Sequence, residues 1–319
     1  MKNVEICEVD RIDILTLQDN YIDLTSNDST AMIQRAMPLK GTDFRNSIFA
    51  EHGFSAMVTT TKGDQSRNML FDFGFSETGA VTNAENLNVD FSSIEAVALS
   101  HGHADHIGGF EAFVERIGKP GLPFVMHPDA FRAPRYIKIT EDFKINIASM
   151  TQERIDQANL NLITSTDPYG LLDDSLMFLG EVPRKSSFEK GTPNMFYEKE
   201  GKEIWDDLPD DTALVANIKD RGLVILSGCA HSGIVNTVNH AIEVTGEERI
   251  HAVMGGFHLS SADFDEVVSP TAKALKGFKP DFIIPTHCTG RNATMHIEKE
   301  MPDAFLLNMV GTRLIFSAS

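Results

Sequence analysis

The sequence predicts an α/β protein in which two mixed β-sheets pack face to face and helices cover their outer surfaces. Short apolar runs of strand length, rich in β-branched residues or phenylalanine, recur along the whole chain. Stretches with helical spacing lie between some of these runs, so that strands dominate first and then alternate with helices. The 319 residues, 42% of them hydrophobic, are enough to fill the interior of such a protein.

The individual elements follow from these patterns. The runs that predict strands are, in chain order, RIDILTL (11–17), FSAMVTTT (54–61), NMLFDFG (68–74), IEAVALS (94–100), LPFVMH (122–127), ALVANI (213–218), GLVILSG (222–228), IHAVMGG (250–256), DFIIPTH (281–287), FLLNMV (305–310) and RLIFS (313–317). Helical spacing occurs in GGFEAFVERIG (108–118), IVNTVNHAIEVTG (234–246) and SPTAKALKGF (269–278). Glycine is expected to close the last two, as it often closes helices.

The chain contains no internal repeat and no low-complexity tract, so we expect one domain spanning residues 1–319. The stretch at about 181–211 lacks clear periodicity and holds charges, three prolines and the only tryptophan. A disordered linker is one interpretation. Its aromatic residues favour the other, an inserted and ordered substrate loop over a site.

Composition limits the partners. The net charge of −18 argues against nucleic acid and against an anionic membrane surface, because both need clustered Lys and Arg. No apolar run approaches the length of a membrane span, and the N-terminus alternates apolar and polar residues, unlike a secretory signal. Cys7, Cys229 and Cys288 are too widely spaced for a disulfide framework and fit a reducing cytoplasm. We therefore expect a cytoplasmic protein with a small-molecule substrate and leave its oligomeric state open.

A dense cluster of metal-binding side chains follows the predicted strand 94–100. His101, His103, Asp105 and His106 form the pattern H-x-H-x-D-H. A strand that ends in a tight turn can direct such side chains to two neighbouring points, which suits two metal ions. Imidazole and carboxylate are ligands for zinc, iron or manganese, and zinc favours nitrogen-rich sites. Gly108 and Gly109 are expected to let the next helix begin close to the metals.

Further ligands are expected at other strand ends. His231 follows the strand 222–228 at a strand-to-helix junction, and His287 follows the apolar stretch DFIIPT at 281–286. Both are predicted to be ligands because a sheet delivers such residues to a common edge. Asp72 ends another strand, and we expect it to hydrogen-bond the metal-site loop, although an ordinary turn residue is an equal alternative.

These motifs resemble those of the metallo-β-lactamase fold superfamily. FDFG is similar to its first motif, HGHADH to its second, GCAH to its third and PTHC to its last. The resemblance implies an αββα sandwich with two divalent metals at one edge between the sheets. It also implies that the first metal is held by His101, His103 and His231, and the second by Asp105, His106 and His287.

The chain resembles more narrowly the subgroup related to the dihydropterin ribofuranosylaminobenzene-phosphate synthases of methanopterin biosynthesis. The stretches that carry this likeness include AEHGFSAMV, GEVPRKSSFEKG, SGCAHSGIVNT and GGFHLS. One departure concerns the Asp by which many superfamily enzymes bridge both metals, because the corresponding stretch, HAVMGGFHL, offers histidines instead. His258 is expected to face the site, as a ligand, a substrate hydrogen-bond donor or a general acid.

The leading functional hypothesis is a metal-dependent hydrolase that uses a metal-activated water on a small phosphorylated or ester-like substrate. Zinc is expected first, with iron or manganese as alternatives. Asp105 and His258 are the candidate catalytic residues, and Arg184, Lys185, His52 and His258 are the candidates for substrate binding. The alternatives are a transferase of the methanopterin-synthase type, acting on a pterin methyl pyrophosphate, and a non-catalytic metal-containing ligand-binding module.

Overall fold

A computed structural model describes residues 6–37, 39, 41–43 and 47–319. The strands within it are β1 (Glu8–Val9), β2 (Arg11–Gln18), β3 (Ile33–Gln34), β4 (Ser55–Lys62), β5 (Gln65–Phe71), β6 (Ile94–Ala98), β7 (Pro123–Met126), β8 (Arg135–Thr140), β9 (Phe143–Ile147), β10 (Asn161–Thr164), β11 (Tyr169–Leu171), β12 (Leu176–Phe178), β13 (Met195–Lys199), β14 (Lys202–Trp205), β15 (Ala213–Ile218), β16 (Gly222–Ser227), β17 (Ile250–Gly256), β18 (Phe282–Thr286) and β19 (Arg313–Ser317). The α-helices are α1 (Gly79–Asn86), α2 (Ala104–Ile107), α3 (Phe110–Ile117), α4 (Gln152–Ala158), α5 (Ile234–Thr245), α6 (Asp265–Phe278) and α7 (Arg291–Glu300). Short 3₁₀ turns lie at Phe91–Ser93, Pro128–Phe131, Ala262–Phe264 and His287–Thr289.

These strands form two large sheets and a smaller one among the described residues. The first sheet has the order β10-β7-β6-β5-β4-β2-β19-β3. The second has the order β11-β12-β15-β16-β17-β18, with β1 added beside β15. A third sheet, β14-β13-β8-β9, joins two hairpins that are far apart in the sequence. Both large sheets mix parallel and antiparallel pairs, such as the parallel β5–β6 and the antiparallel β4–β5.

The two large sheets enclose the main core, and each covers its other face with helices. Alternate residues explain the layers, because side chains on a strand point to opposite faces in turn. On β15, Leu214 and Ala216 pack between the sheets, whereas Ala213 and Val215 pack towards α5, α6 and α7. In the first sheet, the outward residues pack against α1, α3 and α4. The protein is therefore an αββα sandwich, as the sequence predicted.

Most predicted elements are present in the structure. The exception among the strands is 305–310, which lies in loop structure and makes a single bridge from Phe305 to Ile283. Helix α6 is longer than predicted and passes through Gly277, since Lys279 supplies its left-handed cap. None of the described helices is both long and apolar enough to cross a bilayer. The N-terminal prediction for residues 1–5 lies outside the described residues.

The stretch 181–211 is ordered in the structure and is not a disordered linker, while its role as a substrate loop stays a prediction. It contains β13 and β14, and β13 pairs with β8 in antiparallel register. Several of its residues reach the edge of the sandwich where the candidate ligands lie, as described below. The lack of clear periodicity reflects exposure, because all four residues of β14 are exposed.

Candidate metal centre

The candidate ligands lie at the carboxyl ends of strands from both large sheets. β6 leads into the His101–His106 segment, while β16 and β18 lead to His231 and His287. Strands β5 and β6 run parallel in one sheet, and β16, β17 and β18 run parallel in the other. Their carboxyl ends consequently deliver side chains from two layers to one edge of the sandwich.

One group of imidazoles joins the two sheets. The ring centroids of His101 and His103 are 4.6 Å apart, and His231 lies 4.9 Å from His101 and 4.7 Å from His103. All three side chains are buried. The structure thus brings His231 to the HxH segment across more than a hundred residues of sequence.

A second group contains the carboxylate. Asp105, His106 and His287 present ligand atoms that, together with the sulfur of Cys229, all lie within 4.8 Å of one another. The rings of His106 and His287 have centroids 5.1 Å apart. His287 Nε2 is 3.1 Å from Asp105 Oδ2 without hydrogen-bond geometry. The two groups have the membership that the resemblance implied for two metals.

In several of the candidate ligand histidines, the Nδ1 atom contacts a polar side chain. The Nδ1 atoms of His101 and His231 contact the hydroxyls of Ser100 and Thr192 at 2.9 and 3.2 Å. His287 Nδ1 lies 3.3 Å from Asn20 Oδ1. Such contacts fix ring orientation and leave the opposite nitrogen free to bind a metal.

The free nitrogens are buried and unsatisfied. Among the described residues, the Nε2 atoms of His101, His103, His231 and His287 are buried without a hydrogen-bond partner. A buried polar atom without a partner is costly, so several that lie close together need a ligand. Imidazole nitrogens and one carboxylate are the donor set of zinc and related divalent ions. The residues present therefore fit a divalent metal centre.

Burial sets the protonation of the first group. It lowers the pKa of His103 to about 3 and holds the pKa values of His101 and His231 well below the ordinary range. Neutral imidazole is the form that binds metals. Burial would raise the pKa of Asp105, but the charges of His106 and His287 outweigh it and keep the carboxyl ionised.

Asp72 anchors the metal-site loop, and this confirms its predicted role. Its Oδ1 accepts a hydrogen bond from Ser100 N, and its Oδ2 accepts from Ser100 Oγ and from His106 Nδ1, all at 2.7 Å. Burial lowers the pKa of His106, but the charges of Asp72 and Asp105 outweigh this and raise it to about 9. Asp72 itself is fully buried at the end of β5, with a left-handed φ of 59°.

Two further carboxylates support the ligand loops and were not identified from the sequence. Asp19, after β2, accepts a hydrogen bond from His287 N at 2.8 Å. Asp210 accepts from Gly102 N at 2.8 Å and pairs with the buried guanidinium of Arg135, which also pairs with Asp206. The signal for Asp19 was its place at a strand end, as for Asp72. Nothing local in the sequence links Arg135 to residues about seventy positions later.

Gly108 is required for a reason other than the one expected. A Cβ added there would meet the carbonyl oxygen of Phe75 at 1.7 Å. The close approach is therefore between the start of α3 and the loop after β5, and not between this helix and the ligand side chains.

A cavity of about 1160 Å³ opens over the ligand edge. Its wall includes His52, His258, Thr192 and the hairpin residues Ile137 and Ile145. His52 Nε2 is 3.4 Å from Asp105 Oδ2, and its ring is 4.8 Å from that of His287. His258 lies 4.0 Å from His231, ring to ring, and its Nδ1 is buried without a partner.

The other predicted substrate residues lie elsewhere. Neither Arg184 nor Lys185 is among the described residues that line this cavity. Lys185 Nζ pairs with Glu243 on α5 at 2.6 Å, and Lys185 N donates to Asn236. Arg184 has buried guanidinium nitrogens without hydrogen-bond partners. Burial raises the pKa of nearby Asp211 to about 6, and the charge of Arg184 opposes part of this rise. In this geometry Lys185 packs beside α5, and neither cation lines the cavity.

The fold and this site define a member of the metallo-beta-lactamase superfamily. The family model for that superfamily matches residues 52–173. This match contains the first two of the motifs noted in the sequence, and the αββα layers and the two ligand groups complete the pattern.

Comparison with individual proteins extends the likeness to nearly the whole chain. The sequence is 30% identical over 305 residues to the 7,8-dihydropterin-6-methyl-4-(beta-D-ribofuranosyl)-aminobenzene-5'-phosphate synthase of Methanocaldococcus jannaschii, covering 95% of this chain and 96% of the relative. It is 32% identical over 253 residues to an uncharacterised protein of the same organism, covering 77% of this chain and 87% of the relative. The crystal structure of Tm1679, described as a metal-dependent hydrolase of the beta-lactamase superfamily, superposes with a TM-score of 0.71 at 24% identity, covering 96% of this chain and all of the other.

Proposed function

We propose that the protein is a dinuclear metal-dependent hydrolase that acts on a small phosphorylated or ester-like molecule. The observation that carries this proposal is the set of four buried, unpartnered Nε2 atoms of His101, His103, His231 and His287, which lie beside an open cavity that His103, Asp105 and His231 line. A purely structural site would be closed on all sides. Here the ligand atoms border a space large enough for a substrate.

When bound, two divalent ions would lower the pKa of water towards neutrality and polarise a carbonyl or phosphoryl oxygen. We assign His101, His103 and His231 to one ion and Asp105, His106 and His287 to the other. Zinc is the ion that we expect first because most of the donors are imidazoles. Asp72 and Asp19 keep the ligand loops in place through the hydrogen bonds described above.

His258 is proposed as the residue that handles the proton of the leaving group. Its ring lines the cavity next to His231, and its Nδ1 is buried without a partner. An imidazole at the edge of the ligand cluster can donate a proton to a departing oxygen. Asp105, which contacts His52 and His287, would orient the attacking water from the other side.

The cavity wall indicates how an anionic group would be recognised. Arg154 is the one Lys or Arg side chain among the described lining residues, and it pairs with Glu111. Several lining residues are acidic, including Glu77 and Glu115. Recognition of a phosphate or carboxylate would therefore depend on the metals, while Ile137 and Ile145 offer an apolar wall to the rest of the substrate.

A second candidate is a transferase of the methanopterin-synthase type, favoured by the 30% identity to the Methanocaldococcus jannaschii synthase over almost the whole length of both proteins. In that reaction class the metals, held by the same ligands, would bind a departing pyrophosphate, and an aromatic ring carbon of the second substrate would replace water as the nucleophile. The non-catalytic ligand-binding module remains the third alternative.

The test begins with the metal content of purified protein and then compares two incubations. A panel of phosphodiesters and esters would be turned over by a hydrolase, whereas a dihydropterin methyl pyrophosphate with a ribofuranosylaminobenzene phosphate would be joined by a transferase. Joined product without hydrolysis of the panel would overturn the hydrolase proposal. Metal-loaded protein inactive in both incubations would favour the binding module.

A further inference from the structure

We infer that Cys229 is an additional ligand of the metal centre, a thiolate that both metal positions share. The inference rests on the proposed metal centre and adds a residue of the GCAH motif that neither of the two proposed ligand sets includes. Cys229 follows β16 and precedes His231 by two positions, so it reaches the same edge as the histidines. Its side chain is buried, with 2% exposure.

The sulfur of Cys229 lies among the ligand atoms of both groups. It is within 4.8 Å of the ligand atoms of Asp105, His106 and His287, and within the same distance of those of His101 and His231. Asp105 is the other residue that approaches both groups, since it also lies within reach of His101 and His103. Cys229 and Asp105 therefore occupy the two positions between the proposed ions.

The short distance between the Cys229 sulfur and His106 Nε2 places the sulfur in contact with any metal that His106 binds. Cys229 Sγ is 3.1 Å from His106 Nε2, the nitrogen that faces away from Asp72. A tetrahedral zinc ion binds nitrogen at about 2.1 Å and sulfur at about 2.3 Å, which sets two such ligands about 3.6 Å apart. The observed separation is slightly shorter. An ion bound at His106 Nε2 would consequently have the sulfur in its coordination sphere unless the sulfur moved away.

The backbone around Cys229 opposes such a movement. A Cβ added to Gly228 would meet Ser100 Oγ at 2.0 Å, so the chain before Cys229 is packed directly against the metal-site loop. Ala230, on the other side, has a left-handed φ of 53°. A non-glycine residue in that conformation is held there by its surroundings. The backbone that carries Cys229 is thus held on both sides, so the sulfur cannot leave the ligand atoms by a shift of the main chain.

Cys229 also supplies the charge that is missing elsewhere. The end of β17, where many relatives in the superfamily were expected to carry a bridging carboxylate, holds His258 instead. Among the candidate ligand groups of the described residues, Asp105 is the one carboxylate. A thiolate at Cys229 adds a second negative charge between two divalent ions, and its proton leaves to solvent as the metal binds. Because thiolates favour zinc and iron over manganese, it also shifts the metal preference of the site.

The decisive experiment uses metal-loaded full-length protein and needs no activity. X-ray absorption at the zinc edge should show sulfur scattering at about 2.3 Å in wild-type protein that contains two zinc ions. Zinc in an environment of nitrogen and oxygen alone would overturn the inference, whatever the variants do. Protein that binds no zinc at all would overturn both the inference and the proposed function, so the two failures are distinguishable.

Cobalt substitution identifies which cysteine is responsible. The cobalt-loaded protein should show a thiolate-to-metal charge-transfer band in the near ultraviolet. Cys229→Ser should abolish this band, while Cys288→Ser and Cys7→Ser should retain it. Cys288 is the matched control because it is buried beside Cys229, with its Sγ 3.6 Å from Cys229 O. A band that survives Cys229→Ser, or that disappears with Cys288→Ser alone, would overturn the assignment.

Discussion

Asp72 and His106 form a fully buried pair in which His106 Nδ1 donates to Asp72 Oδ2 at 2.7 Å. The same carboxylate receives both Ser100 N and Ser100 Oγ. One side chain at the end of β5 therefore fixes the loop after β6 and directs His106 Nε2 towards the second ligand group. A substitution at Asp72 that keeps its shape can therefore test whether this residue supports metal binding in addition to the fold.

Asp72→Asn should weaken metal binding by about 10- to 100-fold, the usual effect of losing a ligand's hydrogen-bond partner. The amide keeps the shape of the carboxylate and can still accept from Ser100 N, but it removes the charge that holds the proton on His106 Nδ1. Competition with a chelator, followed by elemental analysis, would measure the change. Asp90→Asn is the control because Asp90 caps an exposed 3₁₀ turn at Phe91–Ser93. Equal metal affinity in both variants would contradict the role assigned to Asp72.

His103→Ala and Asp105→Ala should deplete different metals. His103 belongs to the group with His101 and His231, so its loss should remove one ion and abolish activity while the fold remains largely intact. Asp105→Ala should mainly remove the other ion. Metal content per chain and circular dichroism would be measured for both, with His296→Ala on α7 as a histidine control away from the site. Two ions retained in Asp105→Ala would show that the division of ligands is wrong.

The sequence predicted the sheets and the ligand motifs well because each depends on local pattern. The strands β15, β16 and β17 are buried on both faces and read as continuous apolar runs. The third sheet was not predicted, since β9 and β14 are short and largely exposed and carry little apolar periodicity. The run 305–310 is apolar but not a strand, because it packs beside β18 through a single bridge.

Within the candidate site, long-range partners were the part that the sequence could not predict. The pairs Asp19–His287 and Asp210–Gly102 join residues 268 and 108 positions apart, and only the folded chain brings them together. The prediction that Arg184 and Lys185 bind a phosphate depended on the conformation of a loop, which no local sequence pattern specifies. The spacing C-x-H at Cys229 and His231 is a local signal for a sulfur ligand, and the sequence prediction did not use it.

Arg135→Met should lower the free energy of unfolding by about 3–5 kcal/mol, as expected when a buried ion pair loses one partner. Arg135 is 1% exposed and binds Asp206 and Asp210, and Arg132 also reaches Asp206 but not Asp210 in the hydrogen bonds described. Asp210 would keep Gly102 N as a donor but lose its compensating charge. Urea denaturation would measure the loss. Arg249→Met removes an exposed pair with Glu247 and should change stability little. Similar midpoints for the two variants would contradict this account.

Glu189 should make stability fall as the pH rises through neutrality. Its carboxyl caps α5, where Oε1 accepts from Val235 N and Oε2 from Asn236 N. Burial outweighs these hydrogen bonds and raises the pKa of Glu189 to about 7. Because the folded protein then holds this proton more tightly than the unfolded chain, the contribution is present below about pH 4.3 and is lost as pH passes 7.

Glu189→Gln removes that titration while keeping an acceptor at the helix terminus. The measured quantity is the unfolding free energy of the wild type minus that of the variant, obtained by urea denaturation of chelator-treated protein. This quantity should fall by about 2–3 kcal/mol between pH 5 and pH 8. Glu243→Gln is the control on the same helix. Burial does not raise the pKa of Glu243, because Lys185 holds it below its usual value, so its difference should not fall in this way. A flat difference for Glu189→Gln would mean that its carboxyl is already ionised at pH 5 and acts only as a charged cap.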